Sequence, residues 1–127
     1  MGAGNTLELG AALTFTGKSW IKTGDGILKT DVSNNGVSRQ GSNIQILGGT
    51  LDVLSAGFSG GAEQLTIKNG ARLLTEQTNG FSTNGAMTIK IGDGGATIEN
   101  GLTGAANYLR IQGVITLPEA KPVSPIP

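Results

Sequence analysis

Hydrophobic and polar residues alternate along most of this chain, and one alternating unit occurs three times. The three copies span residues 43–54, 64–75 and 86–100. Each copy contains a short alternating segment, a glycine-bearing corner and a second short segment. The spacing from Ile44 to Leu65 is 21 residues, and the spacing from Leu65 to Met87 is 22. Alternation with a period of two predicts β-strands, and a constant spacing of this size is typical of proteins built from stacked repeats.

The segments on either side of these copies alternate in the same way. Residues 6–17 and 19–31 predict strands, and the second range has a corner at Gly24, Asp25 and Gly26. Residues 108–117 predict a last pair of strands with these residues facing inward: Leu109, Ile111, Gly113, Ile115 and Leu117. Residues 31–43 are polar and predict the longest loop. No range shows the apolar spacing of a helix, so we expect no helix longer than one turn.

The repeat predicts an all-β fold, a short parallel β-solenoid of five to six rungs with a period of about 22 residues. One repeat cannot bury its apolar face alone, whereas copies stacked about 4.8 Å apart pair their backbones and enclose a continuous core. The alternative is an antiparallel β-sandwich or an intertwined trimeric β-prism. Glycine corners such as Asn69-Gly70 between alternating strands are also strong hairpin signals. The constant period, which includes the connectors, favours the parallel solenoid.

We expect two parts in the chain. Residues 1–117 form the solenoid, with repeats near these ranges: 6–31, 43–63, 64–85, 86–107 and 108–117. Residues 118–127 contain four prolines, which lack the donor that a sheet requires, so this segment should be an extended C-terminal arm. Ten extended residues span about 30 Å, which is enough to lie across a neighbouring subunit.

Composition excludes several classes of function. Nine Lys and Arg balance nine Asp and Glu and are dispersed, so we expect neither nucleic acid nor an anionic membrane as a partner. The chain has no Cys and no His, which removes thiol chemistry, the commonest general base and the commonest transition-metal ligand. We expect no cofactor and no metal. The N-terminus has neither a basic region nor an apolar stretch, so no signal peptide is expected.

The rungs, of the form Ile-Gln-Ile-Leu-Gly-Gly-Thr-Leu-Asp-Val at residues 44–53, resemble the passenger repeats of bacterial autotransporter adhesins. They are also similar to the β-helices of phage tail spikes and virion surfaces. The resemblance covers residues 42–117 and implies a β-helix. The secretion signal and membrane barrel of autotransporters have no counterpart in this sequence, and autotransporter passengers are usually longer.

Nine carboxylates are the candidates for chemistry. Asp52, Glu76 and Glu99 occur near the end of the second strand in successive repeats, so they could form a vertical acidic row. Paired acids of this kind serve glycosidic chemistry, or they could bind a cation; the alternative is a solvated edge offset by neighbouring Lys and Arg. Gly92-Asp93-Gly94-Gly95 is similar to calcium-binding turns, but such turns need consecutive copies. We therefore interpret it as a plain corner.

The scarce aromatic residues and the proline-rich arm are the candidates for partner contacts. Phe58 and Phe81 recur 23 residues apart in connectors and could stack inside the core or on an outer face. Trp20 could cover the open end of the core or stack on a sugar. The expected partner-contact residues are listed here: Trp20, Phe58, Phe81, Pro118, Pro122 and Pro125.

These observations predict a structural protein and not an enzyme. A short solenoid has two open sheet edges, and a core of this size without disulfides gains stability from oligomerisation. We expect a homo-oligomer, a trimer or an end-to-end stack, bound to a larger assembly such as a capsid or tail. The expected location is the virion surface, after synthesis in the host cytoplasm, as a cement or decoration protein or a fibre segment. The alternatives are an extracellular or cell-surface adhesin module and a glycan-cleaving enzyme fragment.

Overall fold

The computed structural model describes residues 4–9, 17–30, 42–54, 64–82 and 87–118, and these residues form strands and turns. The twelve strands are β1 (Thr6–Leu9), β2 (Ser19–Lys22), β3 (Ile27–Thr30), β4 (Asn43–Ile46), β5 (Thr50–Val53), β6 (Gln64–Ile67), β7 (Ala71–Thr75), β8 (Phe81–Ser82), β9 (Thr88–Ile91), β10 (Ala96–Asn100), β11 (Leu109–Arg110) and β12 (Val114–Thr116). The described residues contain no helix, as expected.

The strands form a parallel β-solenoid. The first sheet has the order β1-β3-β5-β7-β10, the second has the order β2-β4-β6-β9-β12, and β8 pairs with β11 at the side. Every described strand pairing is parallel, which confirms the solenoid and rules out the antiparallel alternative. The described residues make about three turns with partial turns at each end, so the expected five to six rungs are somewhat too many.

The core is a narrow apolar column between the first and second sheets. Its fully buried side chains come from inward positions of successive strands: Ile44, Ile46, Leu51, Val53, Leu65, Ile67, Ala71, Leu73, Met87 and Ile89. Inward residues lie above one another, so that Ile44 aligns with Leu65 and Leu65 with Ile89. Because each of these strands buries one face, a shift of one residue would exchange its inward and outward side chains.

The register of the third copy differs from the expected one. Met87 was expected to align with Leu65, but Ile89 occupies that position, and Met87 is buried just before β9. The second sheet therefore advances 21 residues from Ile44 to Leu65 and 24 residues from Leu65 to Ile89. The additional residues lie in the connector that contains β8, which forms a separate pair with β11.

Glycine corners join the second sheet to the first. Gly49 has φ of 63°, a left-handed conformation that L side chains rarely adopt. The next corner is similar: Asn69 has φ of 61°, and its Nδ2 donates a hydrogen bond to the carbonyl of Leu47 at 3.1 Å. The Asn69 amide also donates to the Asp93 carbonyl at 2.8 Å. Hydrogen bonds between levels thus continue through the corners.

A lysine occupies an inward position at the N-terminal end of the column. Lys22 aligns with Ile46, and the Lys22 residue is 3% exposed. Its Nζ donates to the carbonyls of Gly48 at 2.8 Å and Gly24 at 3.1 Å. Burial lowers the pKa of Lys22, and the charge of Asp25 partly opposes that effect. The ammonium group therefore joins the first two corners.

Candidate interaction surfaces

The two ends of the solenoid leave inward-facing apolar side chains uncovered. At the N-terminal end, Leu7 of β1 lies in register with Leu28, which belongs to a row of inward-facing residues. Leu7 is 49% exposed. At the C-terminal end, Ile115 of β12 aligns with the fully buried Ile89 and is 46% exposed. Leu117, which follows β12, is 70% exposed. The sequence predicted that Ile115 and Leu117 face inward, but it did not show that they would lie at the end of the stack.

The expected partner-contact residues are distributed over several parts of the chain. Trp20 is half-buried in β2, aligns with Ile44 and packs against the core. Phe81 belongs to β8 and pairs with Leu109. Pro118 is exposed after the last strand. The other three expected contacts, Phe58, Pro122 and Pro125, lie outside the described residues, as does most of the C-terminal arm.

Asp52 of β5 occupies an outward position of the first sheet but is only 1% exposed. Its carboxyl lies next to Glu76, and its Oδ2 lies 3.9 Å from Lys29 Nζ. Burial is the main cause that raises the pKa of Asp52 to about 7, followed by the hydrogen bond to Glu76 and the charge of Glu76. Lys29 and Arg72 oppose this increase.

The expected acidic row is divided in the structure. Asp52 and Glu76 form a pair, whereas Glu99 forms an ion pair with Arg72. Asp52 is therefore not part of a solvated edge. No group of three or more acidic residues in the described ranges is arranged to hold a metal ion, the Asp93 corner included. Because Asp52 is buried, its carboxyl is not positioned to meet a substrate from solvent.

The outer face of the second sheet carries a polar groove of about 400 Å³. Its lining, called here the second-sheet groove, consists of Asn43, Gln45, Gln64, Thr66, Lys68, Lys90, Gly92 and Asp93. The register places Asn43 beside Gln64, and it places Gln45 and Lys90 on either side of Thr66. The sequence did not predict that these eight residues form one surface. The signal was available as the outward positions of the three repeats, which are amides, hydroxyls and lysines.

A third surface lies beside the small β8-β11 sheet. Tyr108 is 43% exposed, and the Arg110 guanidinium lies 5.1 Å from the centre of its ring. The other edge of that ring lies against Gly80, where any side chain would overlap it. Asn107 holds the adjacent turn, because its Oδ1 accepts from the Asn79 amide at 3.0 Å. The ring thus packs between Arg110 and Gly80 and is partly exposed.

Comparisons with protein-family models, with curated proteins and with solved structures found no match for this chain. The described part of the chain has no helix with the length and hydropathy of a membrane span.

Proposed function

We propose that this chain is a non-enzymatic structural protein that acts through protein–protein contacts. The observation that carries the proposal is the pair of uncovered end rungs, where Leu7 and Ile115 are about half exposed although they belong to inward-facing rows. Burying such apolar surface is favourable by about 25 cal/mol per Å². The partners proposed are further copies of the chain and a larger protein assembly.

The two ends match each other in strand order. The terminal strands at one end are β10 and β12, and those at the other end are β1 and β2. If a second copy continued the coil, its β1 would extend the first sheet and its β2 would extend the second. Ile115 would then lie above Trp20 of the next copy, which gives Trp20 the partner contact expected from the sequence. Open sheet edges favour pairing of this kind.

One charged pair opposes this arrangement. Continuing the rows of the first sheet brings Glu99 beside Glu8 of the next copy. Arg72 already forms an ion pair with Glu99 and would offset the repulsion. Since Glu8 is exposed, screening by water and salt keeps the cost small. Apolar contact between the ends therefore dominates the proposed junction.

The biological setting proposed is the surface of a virion, where the chain would be a cement or decoration protein or a segment of a tail fibre or spike. The alternative is an adhesin or extracellular fibre module, since a stacked solenoid would serve either role. Support for a non-enzymatic role comes from Asp52, which is 1% exposed and enclosed by Lys29 and Glu76. A glycan-cleaving enzyme fragment is the weaker third possibility.

Mass determination in solution tests the proposal. We expect the full chain to form oligomers and Ile115→Lys to reduce their mass, because a lysine at the uncovered end opposes apolar contact. The matched control is Val114→Lys, which changes the neighbouring outward position. A series of masses that correspond to increasing numbers of chains favours end-to-end stacking. A single mass that corresponds to three chains favours a closed trimer that uses lateral surfaces. A monomer at all concentrations would contradict the proposal, as would equal effects of the two variants.

A further inference from the structure

We infer that the second-sheet groove binds a linear polysaccharide that carries carboxylate groups. This site is separate from the end rungs and does not depend on the proposed assembly. It is an open groove of about 400 Å³. The groove crosses β4, β6 and β9 and therefore runs along the solenoid axis.

The groove offers hydrogen-bonding groups that have no partner within the described part of the chain. The side chains of Gln45, Gln64 and Thr66 have no hydrogen-bond partner among the described residues, and Asn43 Oδ1 is buried without a partner there. Buried polar atoms are normally paired because an unpaired atom costs about 1–3 kcal/mol. A ligand with many hydroxyl groups would supply both donors and acceptors to this set.

Two lysines give the groove its charge preference. Lys68 and Lys90 line it, and neither forms an ion pair within the described part of the chain. Asp93 is the single acidic residue in the lining, so the lining has a net positive charge. The outer face of the first sheet differs, because Lys29 and Arg72 there already pair with Asp52 and Glu99. A carboxylate on the ligand would provide the partner that Lys68 and Lys90 lack.

A glycine keeps the groove open beside Lys68. A Cβ at Gly92 would lie 2.9 Å from Lys68 Cβ, which is closer than real Cβ contacts. The absence of a side chain at this position lets the Lys68 stem lie over the backbone and leaves space in the groove. Gly92 is held in place because its amide donates to the Ile67 carbonyl at 2.8 Å.

The backbone around the groove favours a saccharide over an acidic peptide. Peptides that bind sheets obtain affinity from an unpaired strand edge and from apolar pockets for side chains. The strands β4, β6 and β9 are each paired on both sides, so they offer no edge. The lining side chains are polar or charged, and Gly92 contributes only backbone. The amides of Asn43 and Gln64 lie on neighbouring strands of one outward row, about 4.8 Å apart, and can contact the same extended ligand.

Calorimetric titration of the full chain tests the inference. The probes are polygalacturonate, alginate and hyaluronate, with uncharged dextran and poly-glutamate as controls for the sugar and the charge. We expect at least one of the three uronate polymers to bind, with both controls weaker by roughly tenfold or more. The double variant Lys68→Gln/Lys90→Gln should weaken uronate binding by roughly tenfold or more, because it removes both charge-assisted contacts. Gln64→Ala should weaken it without changing its salt dependence.

The matched control is Lys18→Gln, which removes an exposed positive charge outside the groove. This variant should bind the uronate polymer with an affinity within about twofold of that of the original chain. Circular dichroism of each variant checks that the sheet is intact, and surface substitutions of this kind normally change stability by less than about 0.5 kcal/mol. Three results would each overturn the inference: no binding of any uronate polymer, equal binding of poly-glutamate, or an equal loss with Lys18→Gln.

Discussion

The buried carboxyl of Asp52 lies next to the carboxyl of Glu76 on the outer side of the first sheet. Burial and the neighbouring Glu76 both favour the protonated form of Asp52 and raise its pKa. Lys29 Nζ lies 3.9 Å from Asp52 Oδ2 and opposes this rise. The fold therefore contains a buried acid whose protonation stabilises the native state.

The first prediction concerns the pH dependence of stability. The pKa of Asp52 rises from 3.8 to about 7 on folding. Protonation of Asp52 thus contributes stability that is fully present below about pH 4 and is lost as the pH rises through about 7. Asp52→Asn, which keeps the shape and remains neutral, should be more stable than the original chain at pH 8 by about 1 kcal/mol or more.

Urea unfolding at pH 4, 6 and 8 measures this difference. The difference between the two chains should be small at pH 4 and should grow towards pH 8, because only the original chain loses its proton. Effects of the carboxylates that do not interact with Asp52 are common to both chains and cancel. If Asp52→Asn is less stable at every pH by the same amount, the ion pair with Lys29 dominates and the assignment of the proton to Asp52 is wrong.

Lys22 should contribute to stability through the carbonyls that it joins. Lys22→Met keeps the stem of the side chain but leaves the carbonyls of Gly24 and Gly48 without their donor. We expect a loss of about 1–3 kcal/mol in the free energy of unfolding. Lys18→Met is the matched control because Lys18 is exposed, and it should change stability by less than about 0.5 kcal/mol. Equal losses of unfolding free energy in the two variants would mean that the hydrogen bonds of Lys22 Nζ make no net contribution to stability.

Two corner glycines with similar backbone conformations should differ in their tolerance of alanine. Gly49 has φ of 63° and Gly70 has φ of 71°, so alanine is strained by about 1–2 kcal/mol at both. A Cβ at Gly49 would also lie 2.6 Å from the Gly24 carbonyl oxygen, whereas a Cβ at Gly70 meets nothing closer than 3.9 Å. Gly49→Ala should therefore lower the free energy of unfolding by about 3 kcal/mol or more. Gly70→Ala should lower it only by the conformational strain.

Thermal unfolding of the two glycine variants measures this comparison. The observation that matters is the difference between them, because the positive φ is common to both. A loss at Gly70 that equals the loss at Gly49 would show that the close approach of neighbouring corners does not limit the side chain at position 49.

Much of the fold could be predicted from the sequence because the physical cause is local and repeated. Alternation predicted which side chains within residues 43–54 face inward. The spacing between Ile44 and Leu65 matched the observed register. The position of Met87 was wrong because the connector before it contributes β8 to a separate sheet. Connector length is not restrained by core packing, so periodicity alone could not determine it.

The candidate surfaces were harder to predict. Asp52 is buried, whereas alternation assigns its outward position to solvent. The second-sheet groove depends on outward residues from three strands, and their proximity becomes visible only when the register is known. The end rungs were predicted as strands, but the exposure of Ile115 depends on where the stack ends.

Disulfide trapping tests the proposed end-to-end contact most directly, because the chain has no cysteine of its own. Ser19 and Val114 lie at opposite ends of one outward row of the second sheet. In a continued coil they would face each other at the spacing of neighbouring strands, about 4.8 Å, which a disulfide can span.

The double variant Ser19→Cys/Val114→Cys should therefore give a ladder of covalently linked chains after mild oxidation. The matched control is Ser19→Cys/Thr88→Cys, in which the second cysteine lies on the same row but one rung inside the end, and it should give no ladder. A ladder confined to the first variant is the predicted result. Monomers alone, equal linkage in both variants, or dimers formed by Val114→Cys by itself would contradict the proposed stacking.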